Sequence, residues 1–174
     1  MPKSIALAYW LIPAKPQRDI FSKTIRILAR QFNAPRFEPH LTIIVAAENG
    51  PGPRKILKQI RTSPISLEVR GVGFSSKFTK TLFVRFKSNK SLKKLVVDLA
   101  RETRSRAKSA HDPHLSLIYK KMPTSAKKEL VSTIQLPFST VLFDSIKAMH
   151  CASPTKARSD VEAWRVVARK SLDE

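Results

Sequence analysis

Two short stretches, Pro39-His40-Leu41-Thr42-Ile43 and Pro113-His114-Leu115-Ser116-Leu117, repeat one order of residue types: proline, histidine, leucine, hydroxyl, aliphatic. In a strand, side chains at i and i+2 share a face. His40 is therefore expected beside Thr42 and His114 beside Ser116, with Leu41, Ile43, Leu115 and Leu117 on the buried side. Two imidazoles and two hydroxyls in one cleft suit the hydrolysis of a cyclic phosphodiester. One histidine takes a proton from water and the other protonates the departing ribose oxygen; an imidazole pKa near 6.5 allows either role at neutral pH. The hydroxyls donate hydrogen bonds to phosphoryl oxygens that gain charge in the transition state. This division of labour requires no metal ion and no cofactor. One such motif alone usually marks an ordinary strand histidine. The repetition, with a proline ahead of each and an apolar strand behind each, is what points to chemistry. His111, just before the second motif, is a candidate for the rim of the cleft. His150 adjoins Cys151, but neighbours on a strand point to opposite faces, which argues against a Cys–His dyad.

The elements that must carry these residues alternate along the chain. Ser4 to Ile12 reads as a buried first strand, too short for a membrane span. Asp19 to Phe32 places Phe21, Ile25, Leu28 and Phe32 three or four apart, which predicts an amphipathic helix. Pro35 and Pro39 impose an extended approach to a strand over His40–Ala46. A loop follows at Glu48 to Pro53, then a short helix at Lys55 to Ile60 and a strand pair at Ile65 to Phe74 and Thr81 to Phe86. The second half repeats the plan. Leu92, Leu95, Val96 and Leu99 sit at helical spacing, His114–Tyr119 is a strand, Ser125 to Val131 a short helix, and Val141 to Cys151 and Trp164 to Ala168 the last strands. Pro154 to Glu162 reads as a loop. The expected class is α+β: one domain over residues 1–174 with two pseudo-symmetric lobes. Each lobe is a mainly antiparallel sheet with helices on its outer face, and the active-site cleft lies between them.

Composition limits the partners. The chain has 174 residues, with 33 Lys and Arg against 13 Asp and Glu, for a net charge of +20. Such a charge favours anionic partners. Residues 87 to 108 hold eight of the basic side chains against Asp98 and Glu102, either a solvated helix face or an extension of the site toward longer RNA. The single cysteine, Cys151, rules out an intrachain disulfide and suits a reducing compartment. No HExxH, CxxC or P-loop pattern is present. A soluble, cytoplasmic monomer with no membrane partner is expected.

The sequence resembles the two-histidine, LigT-like phosphoesterase superfamily, and within it the cyclic phosphodiesterases of plants and yeast. The resemblance runs over most of the chain: Tyr9-Trp10-Leu11-Ile12-Pro13, the stretch from Phe32 to Thr42, Pro113 to Tyr119, and a closing region around Trp164. Where the RNA-ligase-like branch follows its first motif with a basic-aromatic pair, this chain has Ile44-Val45, which favours the cyclic phosphodiesterase branch. The resemblance implies that His40 and His114 are the acid–base pair and that Thr42 and Ser116 bind phosphate. Tyr119 matches a tyrosine that reaches the site, although simple strand alternation turns it away from His114 unless the strand ends or bulges there. Trp10 and Phe78 match aromatic positions that sandwich a base. The implied reaction opens 2′,3′-cyclic phosphates of nucleotides, and the 1″,2″-cyclic phosphate of ADP-ribose, to leave 2′-phosphates. The residues leave open which imidazole is the base; family grounds lean to His114 as base and His40 as acid. Two alternatives remain: an RNA-end phosphodiesterase or 2′–5′ RNA ligase of the same superfamily, for which the charge speaks, and a catalytically idle RNA- or nucleotide-binding module.

Overall fold

The computed structural model describes residues 2–106 and 112–172. His111 and Lys108 lie outside the described residues. The elements run β1 (Ser4–Pro13), α1 (Gln17–Phe32), β2 (Leu41–Ala47), α2 (Pro53–Gln59), β3 (Ile65–Phe74), β4 (Leu82–Phe86), α3 (Lys90–Glu102), β5 (His114–Ile118), α4 (Thr124–Thr133), β6 (Thr140–Ser153), α5 (Arg158–Glu162) and β7 (Arg165–Ser171). Among the described residues no helix is long and apolar enough to cross a membrane.

All seven strands join one antiparallel sheet in the order β1-β2-β5-β4-β3-β6-β7, and β1 also pairs with β6. The fold is α+β, and the strands gather into two groups. One is β2-β1-β6-β7 and the other is β5-β4-β3. They meet at a single β2–β5 pair, Leu41 opposite Leu115, and where the start of β6 pairs with Ile65–Glu68 of β3. The two lobes are not the two halves of the chain, as the repeated plan had implied. β1 pairs along its whole length with β6, from Ser4 opposite Ser153 to Pro13 opposite Phe143. The 14-residue β6 can do this because its two edges serve different neighbours, β1 on one side and β3 then β7 on the other.

The main core packs α1, α2 and α3 against one side of this sheet. α1 buries Phe21, Ile25, Leu28 and Ala29 and ends where Asn33 takes φ 50°, the left-handed turn asparagine tolerates. α3 buries Leu92, Leu95, Val96 and Leu99, and the side chain of Asn89 caps it by accepting the Leu92 N–H at 2.9 Å. Its outer side is solvated and carries the Lys94–Asp98 and Arg101–Asp98 pairs. Leu41, Ile43, Leu115 and Leu117 all lie in the main core, so the motif histidines are anchored by buried neighbours. A smaller cluster of Ala8, Trp10, Ile12 and Met149 lies on the other side of β1.

The segment expected to be a loop, Pro154 to Glu162, contains the five-residue α5. The buried Asp160 carboxylate explains it. It accepts the backbone N–H groups of Lys156 and Ala157 at 2.8 and 3.0 Å and pairs with Lys3 at 2.6 Å. The Lys3 bond, with those two N–H groups, holds Asp160 below the usual carboxylate range. One local tether and one tether 157 residues away therefore fix a turn of helix that has no apolar periodicity of its own.

Candidate active site

His40, Thr42, His114 and Ser116 line one cavity of about 260 Å³ where β1, β2, β5 and β6 converge. Its wall includes Trp10, Tyr119, Thr79, Cys151, Thr155 and Trp164. His40 stands at the end of the extended segment that Pro35 and Pro39 set up, one residue before β2; His114 opens β5.

The two imidazoles are held alike. His40 Nδ1 lies 2.7 Å from the Glu38 carbonyl oxygen, and His114 Nδ1 lies 3.0 Å from the Asp112 carbonyl oxygen. A carbonyl only accepts, so each Nδ1 carries the proton and donates it, and each Nε2 is the ring nitrogen open to chemistry. Burial disfavours the charged ring in both cases. It holds His40 down at about 4, against the pull of the Glu38 carbonyl and with a further push from His114. His114 is also lowered, by burial first; the Asp112 carbonyl opposes this, and Lys80 and Lys77 add to it. Lys80 pairs with the Asp112 carboxylate and sits 4.6 Å over the Phe83 ring, so a cation is fixed beside His114.

The hydroxyls differ. Ser116 is buried and donates to the Thr79 carbonyl at 2.7 Å. Thr42 is exposed on β2, and its hydroxyl has no hydrogen-bond partner among the described residues. Tyr119 reaches the cavity although it is five residues past His114. β5 ends at Ile118, and the register slips between Leu82 and Phe83, so strict alternation fails at Leu117. Its hydroxyl lies 3.4 Å from His40 Nε2, and burial raises the phenol well above its ordinary value, so it stays protonated.

The aromatic positions are arranged otherwise than a base sandwich would need. Trp10 is buried, and its ring stacks on His40 at 3.5 Å between centroids, so that face is taken by the imidazole. Phe78 does not line the cavity; it stands behind Tyr119, 6.1 Å away. Phe37 and Trp164 complete the cage, with Phe37 stacked on Tyr119 at 4.2 Å and Trp164 edge-on to His40 at 5.8 Å. Both lie in stretches that carry the sequence resemblance. Thr79, Thr155 and Cys151 had no such signal. His150 turns away from the cavity toward Glu48, 3.2 Å from its carboxylate, while Cys151 lines the wall.

The cleft continues past His114 into a second cavity of about 730 Å³ that shares Thr42, Val45, Thr79 and His114 with the first. Lys77, Lys80 and Arg106 line it. Among the described residues no three His, Cys, Asp or Glu side chains converge as metal ligands.

The family described as cyclic phosphodiesterase-like protein matches residues 4–172. The cyclic phosphodiesterase of Arabidopsis thaliana is 22% identical over 177 residues, covering 98% of this chain and 97% of its own length. Among solved structures, Escherichia coli LigT with 3′-AMP superposes with a TM-score of 0.61 at 15% identity, over 99% of this chain and 100% of LigT. A second, described as a phosphoesterase, gives 0.60 at 15% identity over the same share of each. These likenesses fix the fold as LigT-like. With the family match spanning nearly every residue, they make this chain a phosphodiesterase that belongs to the cyclic phosphodiesterase-like proteins of the two-histidine phosphoesterase superfamily.

Proposed function

We propose that the protein hydrolyses the 2′,3′-cyclic phosphate of a nucleotide to the 2′-phosphate without a metal ion, with His114 as base and His40 as acid. The same chemistry extends to the 1″,2″-cyclic phosphate of ADP-ribose. What carries this function is the matched pair of Nδ1–H bonds, which leaves proton transfer in one cleft to the two Nε2 atoms, that of His40 beside the Tyr119 hydroxyl at 3.4 Å. His114 Nε2 takes a proton from water as the water oxygen attacks phosphorus. The bond from phosphorus to O3′ breaks, and O3′ takes the proton from His40 Nε2. Thr42 and Ser116 donate to the phosphoryl oxygens, Ser116 after its hydroxyl turns away from Thr79.

Features of the surroundings support this division of roles. Burial first, and then Lys80 and Lys77 against the opposing Asp112, keep His114 neutral at rest, with Nε2 able to accept a proton. His40 lies under the Trp10 ring and against the Glu38 carbonyl, and both favour the protonated ring. Burial outweighs them. A bound phosphate anion supplies the counter-charge that lets His40 hold its proton. An RNA end is favoured as an alternative substrate by one feature, the cavity lined by Lys77, Lys80 and Arg106 beyond His114. The lone unpaired cysteine suits action in the cytoplasm.

Phosphorus NMR of 2′,3′-cyclic AMP turnover in excess EDTA tests the proposal. Adenosine 2′-phosphate formed at an undiminished rate is the expected result. A 3′-phosphate product would reverse the assigned orientation, and loss of rate restored by a divalent ion would remove the two-histidine mechanism.

A further inference from the structure

A second groove, away from the cleft, has a volume of about 760 Å³ and runs between α2 and β7. Arg54, Leu57, Lys58 and Arg61 form one wall; the other is the consecutive run of residues 166–170. Arg54, Leu57 and Lys58 share one face of α2, and Arg61 follows in the extended segment after it. Successive strand residues point to opposite faces, so a groove that touches five in a row follows the edge of β7. That edge is open. β7 stands last in the sheet and pairs only with β6 among the described residues. Alternate residues of such an edge turn both N–H and C=O outward with no strand to receive them.

The groove is also charged in one sense. Arg54, Lys58, Arg61 and Arg169 are exposed, and with Lys170 they make five cations with no carboxylate among the lining residues. None of the five forms an ion pair among the described residues; Lys170 donates to the Ile60 carbonyl at 2.6 Å. Val166 is 41% exposed on the same edge, and Leu57 lines the opposite wall.

We propose that this groove captures an extended acidic peptide of a protein partner, which adds to the sheet as a strand along β7 with its carboxylates toward Arg54, Lys58 and Arg61. Two observations favour a peptide over a nucleic acid. An edge strand offers acceptors as well as donors; a peptide backbone satisfies both, whereas phosphates only accept and would face the outward carbonyls. No aromatic residue lines the groove to stack a base. The docking does not depend on the substrate proposed for the cleft.

The test uses the full chain and a fluorescent heptapeptide of alternating glutamate and valine. Saturable binding is expected, with slowed amide exchange along residues 166–170. The double substitution R54E and R61E is expected to weaken binding by at least about tenfold, equivalent to 1.4 kcal/mol. It leaves turnover of 2′,3′-cyclic AMP and the thermal midpoint unchanged. A peptide with proline at its central position, which removes one N–H, is expected to bind as weakly. R169E serves as an independent variant. Equal binding of the proline peptide would overturn strand addition. A uridine oligonucleotide that displaces the peptide and is itself lost in R54E/R61E would make the groove a nucleic-acid site instead. Absence of saturable peptide binding would leave the cations as mere protection of an open edge and end the proposal.

Discussion

The two histidine motifs share an order of residues but not an environment. In the first, the imidazole is buried: His40 is 5% exposed, stacked under Trp10 and bounded by the edges of Phe37 and Trp164. Its hydroxyl partner, Thr42, is open. In the second the order is crossed. His114 is only half-buried, with Phe83 edge-on at 5.5 Å and Lys80 nearby, while Ser116 is sealed against Thr79. Each lobe therefore offers one enclosed and one accessible group, and the cleft combines the opposite pair from each. A repeated motif becomes two different tools because one histidine meets an aromatic cage and the other meets cations.

The sharpest way to break this comparison is to remove each imidazole. His40→Ala and His114→Ala are each expected to cut turnover of 2′,3′-cyclic AMP by roughly 10²–10⁴-fold, the usual range for lost acid–base catalysis. Steady-state assays check this. The folding consequences are expected to differ: His40→Ala uncovers the Trp10 face and lowers the thermal midpoint, and His114→Ala leaves it near wild type. Near-normal turnover in either variant would refute the shared mechanism, and equal midpoints would refute the difference in environment.

Acid titration sharpens the comparison further. Burial holds folded His40 at about 4, below the value near 6.5 expected in the unfolded chain. Its neutral form is favoured by folding, so the associated stability is complete above about pH 6.5 and is lost as the pH falls through the folded value. The stability lost by pH 4 is roughly 3 kcal/mol. Urea unfolding at pH 7 and pH 4 is expected to show this loss in the wild type and to show it much reduced in His40→Gln. Asp112 and Asp160, both held low by lysine partners, lose their share only at still lower pH and do so in both proteins. An identical loss in the variant would assign the acid sensitivity to another group.

Much of this contrast is invisible along the chain. The juxtaposition of His40 and Thr42 with His114 and Ser116 is legible, because a two-residue period and a repeated motif carry it. The helices α1 and α3 are legible for the same kind of reason, an apolar spacing of three and four. What decides environment is long-range. The exchange that pairs β1 with β6 brings Trp10 and Cys151 into one wall, and no local periodicity encodes a partner 140 residues away. Tyr119 comes into the cavity through a register slip, which alternation cannot anticipate. Phe78 does not line it because the 3₁₀ turn at Phe78–Lys80 presents Thr79 there instead, its carbonyl accepting from Ser116. α5 is held by one carboxylate and a distant lysine, neither of which leaves a pattern in its neighbours.

The smallest expected effects concern the hydroxyls, and they test the crossing directly. The Thr42 hydroxyl has no hydrogen bond among the described residues, so Thr42→Ala is expected to leave stability unchanged. If it donates to a phosphoryl oxygen, the loss of one such donor costs on the order of 10² in turnover. Ser116 already donates to Thr79 and must give up that bond to reach phosphate. Ser116→Ala is therefore expected to cost less in turnover, about tenfold, since the broken internal bond offsets part of the gain at the substrate. It is expected to cost more in stability, about 1 kcal/mol, because the half-buried Thr79 carbonyl loses its donor. Parallel measurement of turnover and urea midpoint for the two variants thus predicts opposite rankings. Equal rankings would mean that the Ser116 hydroxyl turns without penalty, and that the two motifs differ at their histidines alone.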